Sequence, residues 1–317
     1  MSKLLQVTPE YRDYVWGGQR LRPGQLTAEA WIVSELDQIA AGPLAGKTLG
    51  EAAQELGSAL LGDQVVARTG MRFPLLIKLL DCNEWLSIQV HPNDEQAAQL
   101  EGPGQFGKTE AWHILEAQPG ARLIAGTRPG TAAETLAQTI RDGALEAYAA
   151  YHTIHSGDTV FMPAGTLHAL WPGLLVYEVQ ESSDITYRIF DWNRPLKAGR
   201  MLHREQAIAV TNPQATGQIQ PAVDLRADDR RMLVTCAYFT LELLSTQSEA
   251  LNLDTGGASF HAMTIIEGQG SIECEEEQIS LGRFDTALIT AQAGKYQLRS
   301  LGSQGVRALM SSGIQSP

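Results

Sequence analysis

Gly157-Asp158-Thr159-Val160-Phe161-Met162-Pro163-Ala164-Gly165-Thr166-Leu167-His168 is the stretch on which the fold turns. Gly157-Asp158 reads as a tight turn and Thr159–Met162 as a short strand. Pro163-Ala164-Gly165 reads as a second turn that presents His168. Working outward, apolar runs bounded by Gly, Pro, Asp and Asn recur roughly every ten residues. Arg72–Leu80, Trp85–Val90, Leu174–Gln180, Thr186–Asp191, Phe239–Leu244 and Met263–Ile266 read as strands. Helix-like patches are fewer, at Thr48–Leu56, Asp94–Leu100, Thr131–Asp142 and Leu145–Ala150. This rhythm predicts a mainly β chain built as a sandwich or barrel, with small helices inserted between strands. Pro195–Arg230 reads as a strand-poor connection between two β-units, the second starting at about Cys236.

The composition narrows the class of function. With 317 residues, 44% of them hydrophobic and 19% charged, the chain can bury a real core and is not a disordered polymer. A net charge of −12 argues against nucleic acid as a partner, since phosphate backbones need a basic surface. It does not exclude a small anion, because salt screens the global field beyond about 8–10 Å. No apolar run approaches the ~20 residues that span a bilayer, and the first residues lack a signal-peptide pattern, so a cytoplasmic chain is expected. Cys82, Cys236 and Cys274 form no CxxC pair and suggest neither a disulfide framework nor a thiolate metal site.

Leu86-Ser87-Ile88-Gln89-Val90-His91-Pro92-Asn93-Asp94 carries the chemistry. On a strand, Ser87, Gln89 and His91 share one face, while Ile88 and Val90 take the other. A hydroxyl, an amide and an imidazole thus point together where aliphatic side chains would be usual. With Glu110 and His168 they form a two-histidine, one-glutamate set with an extra amide oxygen, a donor set suited to an open catalytic zinc site. Lys78 interrupts the apolar run Phe73–Leu80, and a turn at Asp81–Glu84 would set it beside Ser87 on an adjacent strand, where the two could hold a phosphate. Glu178 and Arg188 flank the polar turn Glu181–Asp184, so a hairpin would bring a carboxylate near a cation. His152 and His155, three apart near the start of a strand, read as a surface pair; His113, His203 and His261 lack ligand-like spacing, and no dinucleotide, Walker or nucleophile-elbow motif is present.

Gly157–His168 resembles the second motif of cupin barrels. The chain as a whole resembles the class I (type I) mannose-6-phosphate isomerases in their short bacterial form. The resemblance runs through Tyr14-Val15-Trp16-Gly17-Gly18, Ala30-Trp31-Ile32-Val33-Ser34, Pro74–Leu80, Leu86–Asp94, Gly107–Glu110, Pro163–His168 and Ser183–Arg188. It implies cupin-like jelly-roll barrels. A catalytic unit would span 1–235, with helical insertions at about 94–106 and 131–150 and a connection at about 195–235. A degenerate unit at 236–317 would carry no metal. It further implies one zinc ion on Gln89, His91, Glu110 and His168, with Arg188 as the active-site arginine and Glu178 as a proton-transfer carboxylate. Lys78, Ser87, Lys108 and Asp184 would line the substrate pocket. The implied partner is a small sugar phosphate, converted between mannose 6-phosphate and fructose 6-phosphate. Read from the residues alone, another sugar-phosphate isomerase or epimerase, a sugar-binding cupin without activity and a cupin dioxygenase stay open. The oligomeric state is not readable.

Overall fold

A computed structural model describes residues 2–195 and 200–313. These form two compact units, one of residues 11–30, 79–195 and 200–222 and the other of residues 2–10, 31–78 and 223–313. The mainly β, cupin-like expectation holds.

In the unit containing residues 79–222, one sheet has five strands. Their order is Tyr187–Phe190, Ile88–Val90, His168–Leu170, Arg122–Thr127 and Ala149–Thr153. A second sheet places Gln218–Gln220, Thr159–Met162, Glu110–Ala117 and Leu174–Glu181 side by side. The pairings are antiparallel, and their register decides which side chains meet. Gln89 stands between His168 and Arg188 on the first sheet. Glu110 stands between Met162 and Gln180 on the second, and Trp112 between Val160 and Glu178. Ile88 and Val90 leave the polar face, as alternation requires, and join Ile124, Leu167 and Ile189 in a core closed by Leu136 and Ile140 of the helix Ala133–Asp142. Each such side chain contributes about 1.5–3 kcal/mol on burial, which pins the strand so that Gln89 points the other way.

In the other unit, Leu4–Gln6, Thr286–Ile289, His261–Gly268, Val306–Gly313, Phe239–Thr246 and Asp229–Thr235 form a six-stranded sheet. Leu251–Asp254, Lys295–Ser300, Gly270–Cys274 and Glu277–Leu281 form a four-stranded one. Their shared core includes Leu244, Met263, Ile272, Leu298 and Met310.

Two sequence expectations need correction. Pro195–Arg230, of which 196–199 lie outside the described residues, holds the helix Arg204–Val210, the three-residue strand Gln218–Gln220 and only the start of the strand Asp229–Thr235. The strand Gln218–Gln220 is largely exposed and pairs with Thr159–Met162, so it needs no apolar alternation. The expected helix at Leu145–Ala150 is a short 3-10 turn, Leu145–Ala147, followed by the strand Ala149–Thr153. The strand expected over Trp85–Val90 begins only at Ile88. Among the described residues no helix is long and apolar enough to cross a membrane.

Candidate metal centre

His91, Glu110 and His168 come together as a buried group whose ligand atoms all lie within 4.8 Å of one another. Each reaches that point by a different local device. His91 follows the strand Ile88–Val90 and precedes Pro92. Asn93 then caps the helix Asp94–Leu100 in a reciprocal capping box with Gln96. Glu110 opens the strand Glu110–Ala117. His168 opens its strand directly after the Pro163–Gly165 turn. Gly165 has φ +81°, a left-handed conformation that favours glycine, and its N–H donates to the carbonyl of His91 at 2.8 Å. The two histidine segments are therefore bonded to each other through the backbone.

The imidazoles are oriented for metal. Each Nδ1 is 2.8 Å from a backbone carbonyl, of Ile185 for His91 and of Thr166 for His168. A carbonyl accepts only from N–H, so Nδ1 carries the proton and the Nε2 lone pair is turned inward, as in histidine–metal sites. His168 Nε2 lies 3.2 Å from Glu110 Oε1, and His91 Nε2 lies 3.6 Å from Oε2. Burial, helped by the Lys108 charge, pushes His168 down to about 4, although Thr166 and Glu178 act the other way. The ring is thus neutral at physiological pH and free to donate its lone pair. Two imidazoles with their Nε2 atoms turned inward and a carboxylate on a common centre fit a divalent cation.

A further layer holds the approach to Glu110. Asp94 Oδ1 accepts from the N–H of Gly107 at 2.7 Å, and Glu181 Oε1 accepts from that of Thr109 at 2.8 Å. A Cβ on Gly107 would lie 2.5 Å from the Asn93 carbonyl carbon, so only glycine lets the two segments approach this closely. Burial, then the neighbouring Asp94, raises the Glu181 carboxyl to about 8. Lys108, in the middle of the segment, turns inward. Its Nζ is 3.0 Å from Glu110 Oε2 and 3.2 Å from His91 Nε2.

Gln89 is beside the group, but its nitrogen, not its oxygen, faces His168 Nε2, at 3.3 Å. Its Oε1 accepts from Ser87 Oγ at 3.3 Å, and Arg188 Nε donates to the same hydroxyl at 3.1 Å. Ser87, Gln89 and Arg188 therefore form one chain leading to His168. Glu178 is buried and accepts from Trp112 Nε1 at 2.8 Å, while the Trp112 ring meets His168 edge-on with centroids 5.4 Å apart.

Two expected juxtapositions do not occur as drawn. Glu178 and Arg188 are not paired arms of a hairpin, because their strands belong to different sheets. They flank the centre from opposite sheets, with Trp112 and Gln89 as their respective partners. Nor are Lys78 and Ser87 on adjacent strands, since Leu75–Cys82 and Ile88–Val90 also part into different sheets. Lys78 is buried, with its ammonium 5.1 Å from the Trp31 ring centroid, a cation–π distance. Asp184 is exposed in the turn before Ile185. Sequence reasoning passed over Trp112, Gln180 and Glu181. Trp112 was findable, being two residues beyond Glu110 and so on its face of the strand.

The catalytic-domain family of type I phosphomannose isomerases matches residues 4–108. A mannose-6-phosphate isomerase of Streptococcus mutans is 32% identical over 303 residues, covering 91% of this chain and 93% of that protein. The Bacillus subtilis mannose-6-phosphate isomerase ManA is 30% identical over 307 residues, covering 92% and 94%. The crystal structure of a mannose 6-phosphate isomerase from Bacillus subtilis superposes with a TM-score of 0.81 at 30% identity, over 99% of this chain and 100% of that one.

Proposed function

The chain belongs to the type I phosphomannose isomerase family, and on that footing we propose that it interconverts D-mannose 6-phosphate and D-fructose 6-phosphate. The observation that carries the reading is the buried convergence of His91 Nε2, His168 Nε2 and the Glu110 carboxylate. These three residues would hold the cation, which we take to be zinc from the nitrogen-and-carboxylate donor set. Gln89 would join them by turning its amide. Such an ion supplies Lewis acidity, polarising a sugar carbonyl and favouring the enediolate over the aldehyde or ketone.

The chain's own residues supply the rest. After ring opening, a base takes the C2 proton of the aldose, or the C1 proton in the reverse direction. The same proton returns to the neighbouring carbon through a cis-enediol, while the O2 proton passes to O1. Glu178 is the base in this reading. It is buried, and its Oε2 accepts from Trp112 Nε1, which fixes the carboxylate beside the centre. Arg188, oriented by Ser87, would stabilise the oxygen on which charge develops. Burial, together with the Arg200 charge, lowers the Arg188 pKa, yet an arginine remains a cation at any working pH. Ser87, Lys108 and Asp184 offer a hydroxyl, an ammonium and a carboxylate to the sugar phosphate.

The test is turnover of mannose 6-phosphate before chelation, after it, and after return of Zn2+. Activity should vanish and come back. Full turnover by chelated, metal-free enzyme would overturn the metal-assisted reading.

A further inference from the structure

Lys108 occupies an awkward place for a residue beside a metal centre. Its Nζ lies 3.0 Å from Glu110 Oε2 and 3.2 Å from His91 Nε2. A zinc-like ion sits ~2.0–2.2 Å from its nitrogen and oxygen donors. An ion held by those same two atoms would be pressed against the ammonium in a buried, low-dielectric setting where like charges repel strongly. The two cations compete for those two atoms, so an ion seated on them calls for a second position of the ammonium.

Gln180 offers one. It is fully buried and directly opposite Glu110 on the neighbouring antiparallel strand, so the two side chains share a face. Its Nε2 donates to the carbonyls of Glu181 at 2.9 Å and Ser183 at 2.6 Å. That fixes the amide, since a flip would set oxygen against two carbonyl oxygens. Its Oε1 is buried and accepts no hydrogen bond among the described residues. A buried acceptor without a donor is costly and calls for one.

We propose that Lys108 is a two-position cation, which neutralises Glu110 when no metal is bound and moves to Gln180 Oε1 when a metal takes Glu110 and His91. The proposal rests on the reading of His91, Glu110 and His168 as a metal centre. In it Gln180 is a positioning residue that sets metal affinity through Lys108.

The experiment is a double-mutant cycle read as Zn2+ affinity, by competition with a chromophoric chelator. It uses wild type, Gln180→Met, Lys108→Met and the double variant. Gln180→Met should weaken Zn2+ binding about tenfold in the wild-type background and leave it unchanged in the Lys108→Met background. An equal loss in both backgrounds would mean that the amide merely props the Glu181–Ser183 turn, and the proposal fails. No loss in either means that Lys108 goes elsewhere, and it fails again. A direct measurement needs no Gln180 variant. In 13C-lysine-labelled wild type, the Lys108 Cε resonance, assigned by its loss in Lys108→Met, should move on Zn2+ titration; a stationary signal overturns the proposal. If Zn2+ binds to none of the proteins, the metal-centre reading itself falls and takes this one with it.

Discussion

At the scale of single residues, the centre depends on groups whose charge burial has altered. Glu181 is the clearest. Its carboxyl, raised from an ordinary 4.5 to about 8, carries a proton at neutral pH while one oxygen accepts from Thr109. The folded value lies above the unfolded one. The stability contributed by the protonated form is therefore complete below about 4.5 and is lost as the pH rises through about 8. Glu181→Gln, which keeps the acceptor and removes the titration, should flatten the fall in melting temperature between these limits. Above pH 8 it should melt higher than wild type; thermal denaturation across that range decides the matter. Glu178 makes a kinetic prediction. If it is the base, Glu178→Gln should lower kcat by about 10²–10⁴ with little change in melting temperature, and a loss below tenfold removes it from that role.

At the scale of elements, what matters is how close the segments carrying ligands approach each other. Residues 106–110 run against the capped start of the helix Asp94–Leu100, held by the Gly107 and Lys108 N–H groups on Asp94 and the Pro92 carbonyl. Gly107→Ala puts a methyl group into backbone that has no flexible end to yield. We expect a cost of about 1–3 kcal/mol, the usual range for forced overpacking. We also expect weakened Zn2+ binding, because Lys108 and Glu110 move with the segment. Denaturant melts and chelator competition on this one variant measure both effects, and unchanged affinity would show that the segment tolerates the shift. The element scale also explains why two pairings inferred from sequence were misplaced. Glu178/Arg188 and Lys78/Ser87 were each assigned to a hairpin because a short polar turn separates them. In a two-sheet fold such a turn can instead carry the chain from one sheet to the other, and here it does so in both cases.

At the scale of the whole molecule, a metal on His91, Glu110 and His168 would link parts of the chain far apart in sequence. A ligand that binds only the folded form stabilises it by mass action, by about 2.7 kcal/mol at a hundredfold excess over Kd. Zn2+ should therefore raise the melting temperature of chelated wild type and leave His168→Gln unmoved in calorimetry; an equal rise in both would place the stabilising ion elsewhere. The negative net charge does not oppose this, since the centre's own donors dominate at contact range.

The sequence by itself determined the strand-rich architecture, the family resemblance, and the trio His91, Glu110 and His168. Those features are local. Alternation sets the face of Ser87, Gln89 and His91, and turn residues place His168 at a strand start. The tertiary structure alone decided which face meets which. Register set Gln89 between His168 and Arg188, and Gln180 opposite Glu110. It brought Lys108 among the ligand atoms and Glu181 beneath Thr109. It also gave Gln218–Gln220 a strand partner that no apolar pattern announced. The physical reason is that periodicity reports only how a residue faces its own backbone. Which groups then share a proton, a hydrogen bond or a cation depends on long-range pairing and on burial, and neither is written in any single stretch of the chain.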